Sequence, residues 1–373
     1  MVSFSPLECF LDTAPWLPTI LAEASYITAA VSTLFHMRKW YIRGFHEYFN
    51  PVAGAYERTQ TVEAEEINRS VIPWLKENHK KDFFLFVHYW DPHVESIWGK
   101  PQPTPRYKAP EEYKELYYKG LSDDLEDRKY VISQYDANIT YADKHIGDVL
   151  QTLDDLGISN ETMLIFTSDH GENLGENHPE GKSLWDHLDV YEPIINVPLI
   201  CKIPGIREEG KRIDALVQNI DIAPTILDFL GININKELDG RSLLPLIKGQ
   251  TSKGYDEVYS SIGFVTCKRT IVTTDKMKLI KTIESGLWPE TPPVELYNLN
   301  EDPDEVNNLA NKDKNMRHKL EFRMSKWVEK NLGKKPDPLR LRANMRMLGN
   351  ALYPYYTYIY GTRSPERIYT AKL

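Results

Sequence analysis

The stretch MLIFTSDHGE, residues 163–172, runs an apolar segment directly into a cluster of polar and ionisable side chains. A short apolar run with no helical spacing reads as a buried strand. In an open α/β sheet, ligands gather beyond the carboxyl ends of the strands. Asp169, His170 and Glu172 therefore stand where a site belongs. A carboxylate beside an imidazole offers oxygen and nitrogen to one divalent metal, and Gly171 lets the backbone turn sharply enough to aim both. The competing assignment makes Asp169 a helix cap and His170 a solvated loop residue.

Outward from this stretch, FFLFVHYWDPH (83–93) repeats the arrangement and delivers His88, Asp91 and His93. Its aromatic run predicts a strand stopped by Asp91-Pro92, with His88 read as a packed strand residue and His93 as a turn histidine or a ligand. A third cluster follows: His178, Lys182, Asp186, His187 and Asp189. Between the strands, Ile132, Tyr135, Ile139, Ala142, Ile146, Val149 and Leu153 recur at three and four residues, predicting a helix over 130–156 ended by Gly157. Further elements are a helix and strand over 16–32, a helix over 61–79, a strand at 197–205 and a helix entered at Asp221 and closed by Gly231. Alternating strand and helix predicts an α/β fold around a mostly parallel sheet. Residues 95–128 read as a surface excursion.

Beyond about residue 250 the texture changes. The β-branched segment 258–283 and ELYNL (295–299) predict a small antiparallel sheet, followed by a helix over 313–331. The expected organisation is an α/β domain over 1–250, a small α+β subdomain over 251–333 and a tail over 334–373. The tail carries eight Lys/Arg against two acidic residues, a net +6, and many tyrosines. It is expected to pack on its own domain or to join a second copy of the chain as a homo-oligomer, with contact to a polyanion as the alternative.

The whole chain of 373 residues has a formal charge of −9. That balance lacks the basic footprint of a nucleic-acid binder. No apolar run approaches the roughly 20 residues of a membrane span. Cys9, Cys201 and Cys267 match no zinc template and form no closed set of disulfides. The first residues lack a basic region followed by an apolar core, so the chain reads as cytoplasmic by default.

Taken in order, PTILAEASYITAAVS, FFLFVHYWDPHV, YDANITYADKHIGDVLQTL, TMLIFTSDHGENLGE, WDHLDVYEPIINVPLI, VQNIDIAPTILDFLGI, DGRSLLPLIKG and VELYNLNEDPDEVNNLA resemble the sulfatase family of the alkaline phosphatase superfamily. The resemblance implies an alkaline-phosphatase-like three-layer sandwich and a sulfuric ester hydrolase acting on a sulfated small molecule or glycan. It implies that Asp169 and His170 bind a divalent metal, calcium in most sulfatases, with Mn2+ or Zn2+ as alternatives. It implies that His93 contacts the sulfate and that His187 donates a proton to the leaving alcohol. The family's nucleophile is a formylglycine made from Cys or Ser in Cys/Ser-x-Pro-x-Arg, and this motif does not occur here. The matched segments correspond to the family without its amino-terminal catalytic third, which predicts an inactive or impaired chain. Two other readings stay open: a metal-dependent phosphodiesterase or phosphonate monoester hydrolase, and a non-catalytic binding protein of the same fold.

Overall fold

A computed structural model describes residues 15–34, 39–51, 62–93, 109–118, 128–175, 187–206, 210–263, 266–286 and 290–341. Helix α1 (Leu17–Glu23) leads into β1 (Ile27–Val31), the middle strand of a three-stranded parallel sheet with order β2-β1-β3. Strand β2 is Glu47–Phe49 and β3 is Phe83–Val87, with Val31 opposite both Phe49 and Val87. Helix α2 (Ala64–Asn78) connects the two outer strands. Its Ile67, Val71, Trp74 and Leu75 pack with Ala29, Val31 and Leu153 into one core. Helix α3 (Glu111–Tyr117) lies within the expected surface excursion, whose remaining residues 95–108 and 119–127 fall outside the described ones.

Helix α4 (Arg128–Asp155) forms where the periodicity predicts, and Gly157 follows it with φ of +74°. The buried face takes in Ala142 and Leu153 of the apolar stripe but extends beyond it. Ser133, Gln134, Ala137, Asn138, Tyr141 and His145 are buried, whereas Ile139 is 41% exposed. The reason is the contact with α2. The Asn68 side-chain amide donates to the His145 carbonyl (2.7 Å) and accepts from the Tyr89 hydroxyl (2.7 Å), so this buried amide is satisfied at both ends. A stripe drawn from apolar residues alone misses such a seam.

Strand β4 (Leu164–Thr167) packs through Leu164 onto the same core, but it pairs antiparallel with β5 (Leu199–Lys202). The two form a separate two-stranded ladder beside the three-stranded sheet, which is parallel throughout as expected. A parallel return needs a crossover that carries the chain back to the starting end. Here Thr167 at the end of β4 lies opposite Leu199 at the start of β5. The described part of the connection holds only the single turn α5 (Glu192–Ile195), so the chain re-enters at the end it left. Next come α6 (Ile222–Phe229), which Gly231 closes with φ of +66°, and α7 (Leu244–Ile247).

The carboxyl-terminal part matches its expected form. Strands β6 (Glu257–Gly263), β7 (Cys267–Thr273), β8 (Met277–Glu284) and β9 (Val294–Asn298) form a four-stranded antiparallel sheet in sequence order. Ile271, Leu279 and Leu296 stand opposite one another and pack with Leu320 and Met324 of α8 (Lys314–Leu332). Asp313 caps that helix by accepting from the Met316 N–H (2.9 Å). Of the expected tail, residues 342–373, with all its tyrosines, fall outside the described residues. Among the described residues, no helix is long and apolar enough to cross a membrane.

Candidate active site at two strand ends

Strands β3 and β4 end side by side in space. After β3 the chain makes one more ladder bond, from the His88 N–H to the Val31 carbonyl (3.0 Å), and the His88 Nδ1 lies 3.1 Å from the Ser32 hydroxyl. The chain then turns: the His93 N–H donates to the Trp90 carbonyl (2.8 Å), and the Trp90 ring lies between the His88 and His93 rings at 4.5 and 5.1 Å. Burial drives the His88 imidazole down to about 4, with Asp169 opposing that shift and His93 and His170 adding to it. His88 is thus a neutral side chain at neutral pH, and it shares the electrostatic neighbourhood of the β4 end.

At that end Asp169 Oδ1 accepts from the His170 N–H (3.0 Å), and the Ser168 hydroxyl donates to the His170 carbonyl (2.5 Å). The His170 Nδ1 lies 2.9 Å from the Gly171 carbonyl. A carbonyl only accepts, so Nδ1 carries the proton and Nε2 keeps its lone pair. Nε2 sits 3.7 Å from Asp169 Oδ2. From the other side, the Asn219 amide donates to the Ser168 carbonyl (2.9 Å). Two residues further on, Asp221 is a fully buried carboxylate that accepts from the Gln218 N–H, the Arg241 N–H and the Tyr255 hydroxyl. Asp221 is more than a helix cap: it staples three segments behind the β4 end.

His187 comes from the segment between β4 and β5. Its ring stacks on His170 with 4.1 Å between centroids and 16° between planes, and it lies 5.7 Å from the His93 ring. Its Nδ1 is 3.6 Å from a carboxylate oxygen of buried Glu172, ion-pair range rather than a hydrogen bond. The four residues singled out from the sequence as site residues, His93, Asp169, His170 and His187, are therefore neighbours. The structure adds His88 and Glu172, whose place at the strand ends was the only sequence signal for them. Asp91 does not join. It accepts from the Ala64 N–H (3.0 Å) at the start of α2, and burial raises its carboxyl to about 6. His178, Lys182 and Asp186 lie outside the described residues.

Gly171 acts differently from the expected sharp turn. Its φ is not positive; a side chain there would put Cβ 2.0 Å from the Pro193 carbonyl oxygen. The Gly171 N–H donates to the Ile194 carbonyl (2.8 Å), so the glycine permits backbone to touch backbone. That contact brings the His187 segment against the His170 loop.

As a cation site, Asp169 Oδ2 and His170 Nε2 fit as two donors on one side. The Gly171 carbonyl holds the tautomer that leaves Nε2 able to ligate, the usual outer-shell arrangement for a ligating histidine. Among the described residues no third His, Cys, Asp or Glu completes the group. An oxygen-loving cation takes six or more ligands, so this pair makes part of a shell.

The Sulfatase family model matches residues 3–232, well over half of the chain. The chain belongs to the sulfatase family. A second family model, N-sulphoglucosamine sulphohydrolase, C-terminal, matches residues 181–331. Arylsulfatase K of Gallus gallus is 30% identical over 257 residues, 64% of this sulfatase-family chain and 45% of the relative. An N-acetylglucosamine-6-O-sulfatase of Bacteroides thetaiotaomicron is 30% identical over 186 residues, 48% of this chain and 32% of the relative. The chain thus spans less than half the length of these relatives. In fold it is similar to a protein solved with its substrate D-glucosamine-2-N,6-O-disulfate, with a TM-score of 0.67 at 19% identity over 88% of this chain and 84% of that one. It is also similar to a phosphonate monoester hydrolase of Silicibacter pomeroyi, with a TM-score of 0.62 at 18% identity over 88% and 81%. The fold is therefore the alkaline-phosphatase-like α/β fold of the sulfatases, with its small antiparallel sheet.

Proposed function

We propose that this sulfatase-family chain carries the anion-binding and leaving-group side of a sulfuric ester hydrolase. The observation that supports this reading is the stack of His187 on His170, flanked by His93 at 5.7 Å, at the ends of two strands. In this reading Asp169 and His170 hold a divalent cation, calcium by family expectation. Such an ion offsets the charge on the ester oxygens. His93 donates a hydrogen bond to a sulfate oxygen. His187, oriented by the Glu172 carboxylate at Nδ1, presents Nε2 to the bridging oxygen, where a proton would be needed by the leaving alcohol once a nucleophile displaced it at sulfur. The substrate class is a sulfated glycan or small molecule.

The sequence holds no Cys/Ser-x-Pro-x-Arg, so the formylglycine route has no nucleophile among these residues. We therefore expect this chain alone to bind a sulfate ester without turning it over. An imidazole donor suits Mn2+ or Zn2+ better than Ca2+, and the fold is shared with the phosphonate monoester hydrolase of Silicibacter pomeroyi. These favour a phosphonate monoester or phosphodiester as the second reading.

The test presents residues 1–373 with an aryl sulfate and with an aryl phosphonate monoester, each with Ca2+, Mn2+ or Zn2+. The expected result is no turnover of the sulfate, with cation-dependent shifts of the His93 and His187 ring protons by NMR. Sulfate turnover would overturn the binding-only reading. Unmoved His93 and His187 signals with both esters would overturn the site.

A further inference from the structure

The inner face of the carboxyl-terminal sheet has a composition that packing alone does not call for. Cross-strand register puts Ile262, Lys268, Lys278, Ile280, Glu295 and Tyr297 on one side. The opposite side is the apolar face against α8. Lys268 and Lys278 are fully buried and Glu295 is 2% exposed. Charged residues are almost never this deep unless paired, and their partners here lie in the few residues that follow His187.

Asp189 Oδ2 meets the Lys268 ammonium at 2.6 Å, and that ammonium also lies 5.2 Å from the Tyr191 ring. The Tyr191 hydroxyl donates to Glu295 (2.6 Å), which also accepts from the Tyr297 hydroxyl (2.7 Å). The Glu192 carboxylate meets Lys278 at 2.9 Å, while the Glu192 backbone N–H donates to Glu305 (2.6 Å), itself 2.8 Å from Lys278. Glu305 makes these contacts from a left-handed backbone conformation, φ of +56°, which a non-glycine residue avoids unless its surroundings hold it there. Val190 and Tyr191 fill the space between with Ile280 and Tyr297. Three charged or hydroxyl side chains within five residues of His187 (Asp189, Tyr191 and Glu192) are therefore each fixed at a defined point of one rigid sheet. The other end of the segment is tied to the His170 loop through the Ile194 carbonyl.

We propose that Lys268, Lys278 and Glu295 are positioning residues that set the register of residues 189–192 and thereby hold His187 in its stack on His170. Apolar side chains would bury as well and tolerate sliding; a directional ion pair does not. Reacting groups lose much of their rate for a displacement of about 1 Å, which gives a site reason to keep such pairs. The proposal rests on the reading of His187 as a site residue, but its measurable content is geometrical.

Substituting both members of one pair separates positioning from stability, because apolar replacement of a buried pair is often neutral or stabilising. The experiment compares Lys268→Met/Asp189→Leu, Lys278→Met and Glu295→Gln with Leu320→Ala, a cavity on the opposite face of the sheet. The readouts are the ring-proton shifts of His170 and His187, which report their mutual ring current, and hydrogen exchange at the Gly171 N–H. The expected result is a double variant as stable as the native chain, with the stacking shifts lost and Gly171 exchanging at least tenfold faster. Leu320→Ala should lower the melting temperature and leave both signals in place. A folded double variant that keeps the native shifts would overturn the proposal. So would equal loss of the shifts in Leu320→Ala, or a double variant that does not fold, which would make the pair a stability element. None of these readouts needs a sulfate ester, so failure here is distinct from failure of the ester-binding test.

Discussion

The imidazoles of His170 and His187 lie parallel at 4.1 Å, although one sits at the end of β4 and the other in the segment that returns to β5. The two rings turn toward different carboxylates: His170 Nε2 lies 3.7 Å from Asp169, and His187 Nδ1 lies 3.6 Å from Glu172.

The stack depends on Gly171. Gly171→Ala places a methyl 2.0 Å from the Pro193 carbonyl oxygen, and that obstacle is backbone. Relief requires the two segments to separate. We expect a loss of about 2–4 kcal/mol in a urea titration, together with loss of the His170–His187 ring-current shifts.

Asp91 supplies a pH signature. Its carboxyl rises from an ordinary 3.8 to about 6, chiefly through burial. The folded state thus binds more protons than the unfolded state between those values, and this group's contribution to stability falls as pH rises through the window. Asp91→Asn keeps an oxygen for the Ala64 N–H and removes the buried charge. The variant should be more stable than the native chain by about 1–3 kcal/mol above pH 6, with the gain vanishing below about pH 4. Thermal melts across pH 4–8 check it.

His88 gives the opposite slope. Its folded value of about 4 lies below the ordinary 6.5. The unfolded state binds the extra proton between these values, so stability falls as pH drops through that window. In a histidine NMR titration the His88 ring should stay neutral through pH 6 and titrate near 4. An ordinary midpoint would show that the ring is solvated.

Asp221 tests the support behind β4. Asp221→Ala removes the acceptor for two backbone N–H groups and the Tyr255 hydroxyl at a fully buried site. A loss of about 2–4 kcal/mol is expected, with faster exchange at residues 216–221. The Ser168 carbonyl also loses its fixed Asn219 donor, so the Asp169 and His170 signals should broaden.

Much of this was legible in the chain because short-range physics wrote it there. Apolar runs ending in Asp169-His170 and near His93 mark strand ends, since nothing else buries such a run and exposes such a cluster. The β-branched segment 258–283 marks the antiparallel sheet, and the helix expected over 313–331 is found at Lys314–Leu332. Those signals lie within a few residues of the feature they specify.

What the sequence by itself determined was the order of elements, the family and four of the residues that meet at the strand ends. Only the tertiary structure decided that β5 runs antiparallel, that α4 buries amides beside part of its apolar stripe, and that Glu172 faces His187. It alone decided that Lys268 and Lys278, ordinary surface residues by composition, lie in the interior. Each of these depends on which distant segment comes alongside, and a buried charge is tolerable only once its partner is there. That partnership is a property of the folded arrangement and leaves no local mark on the chain.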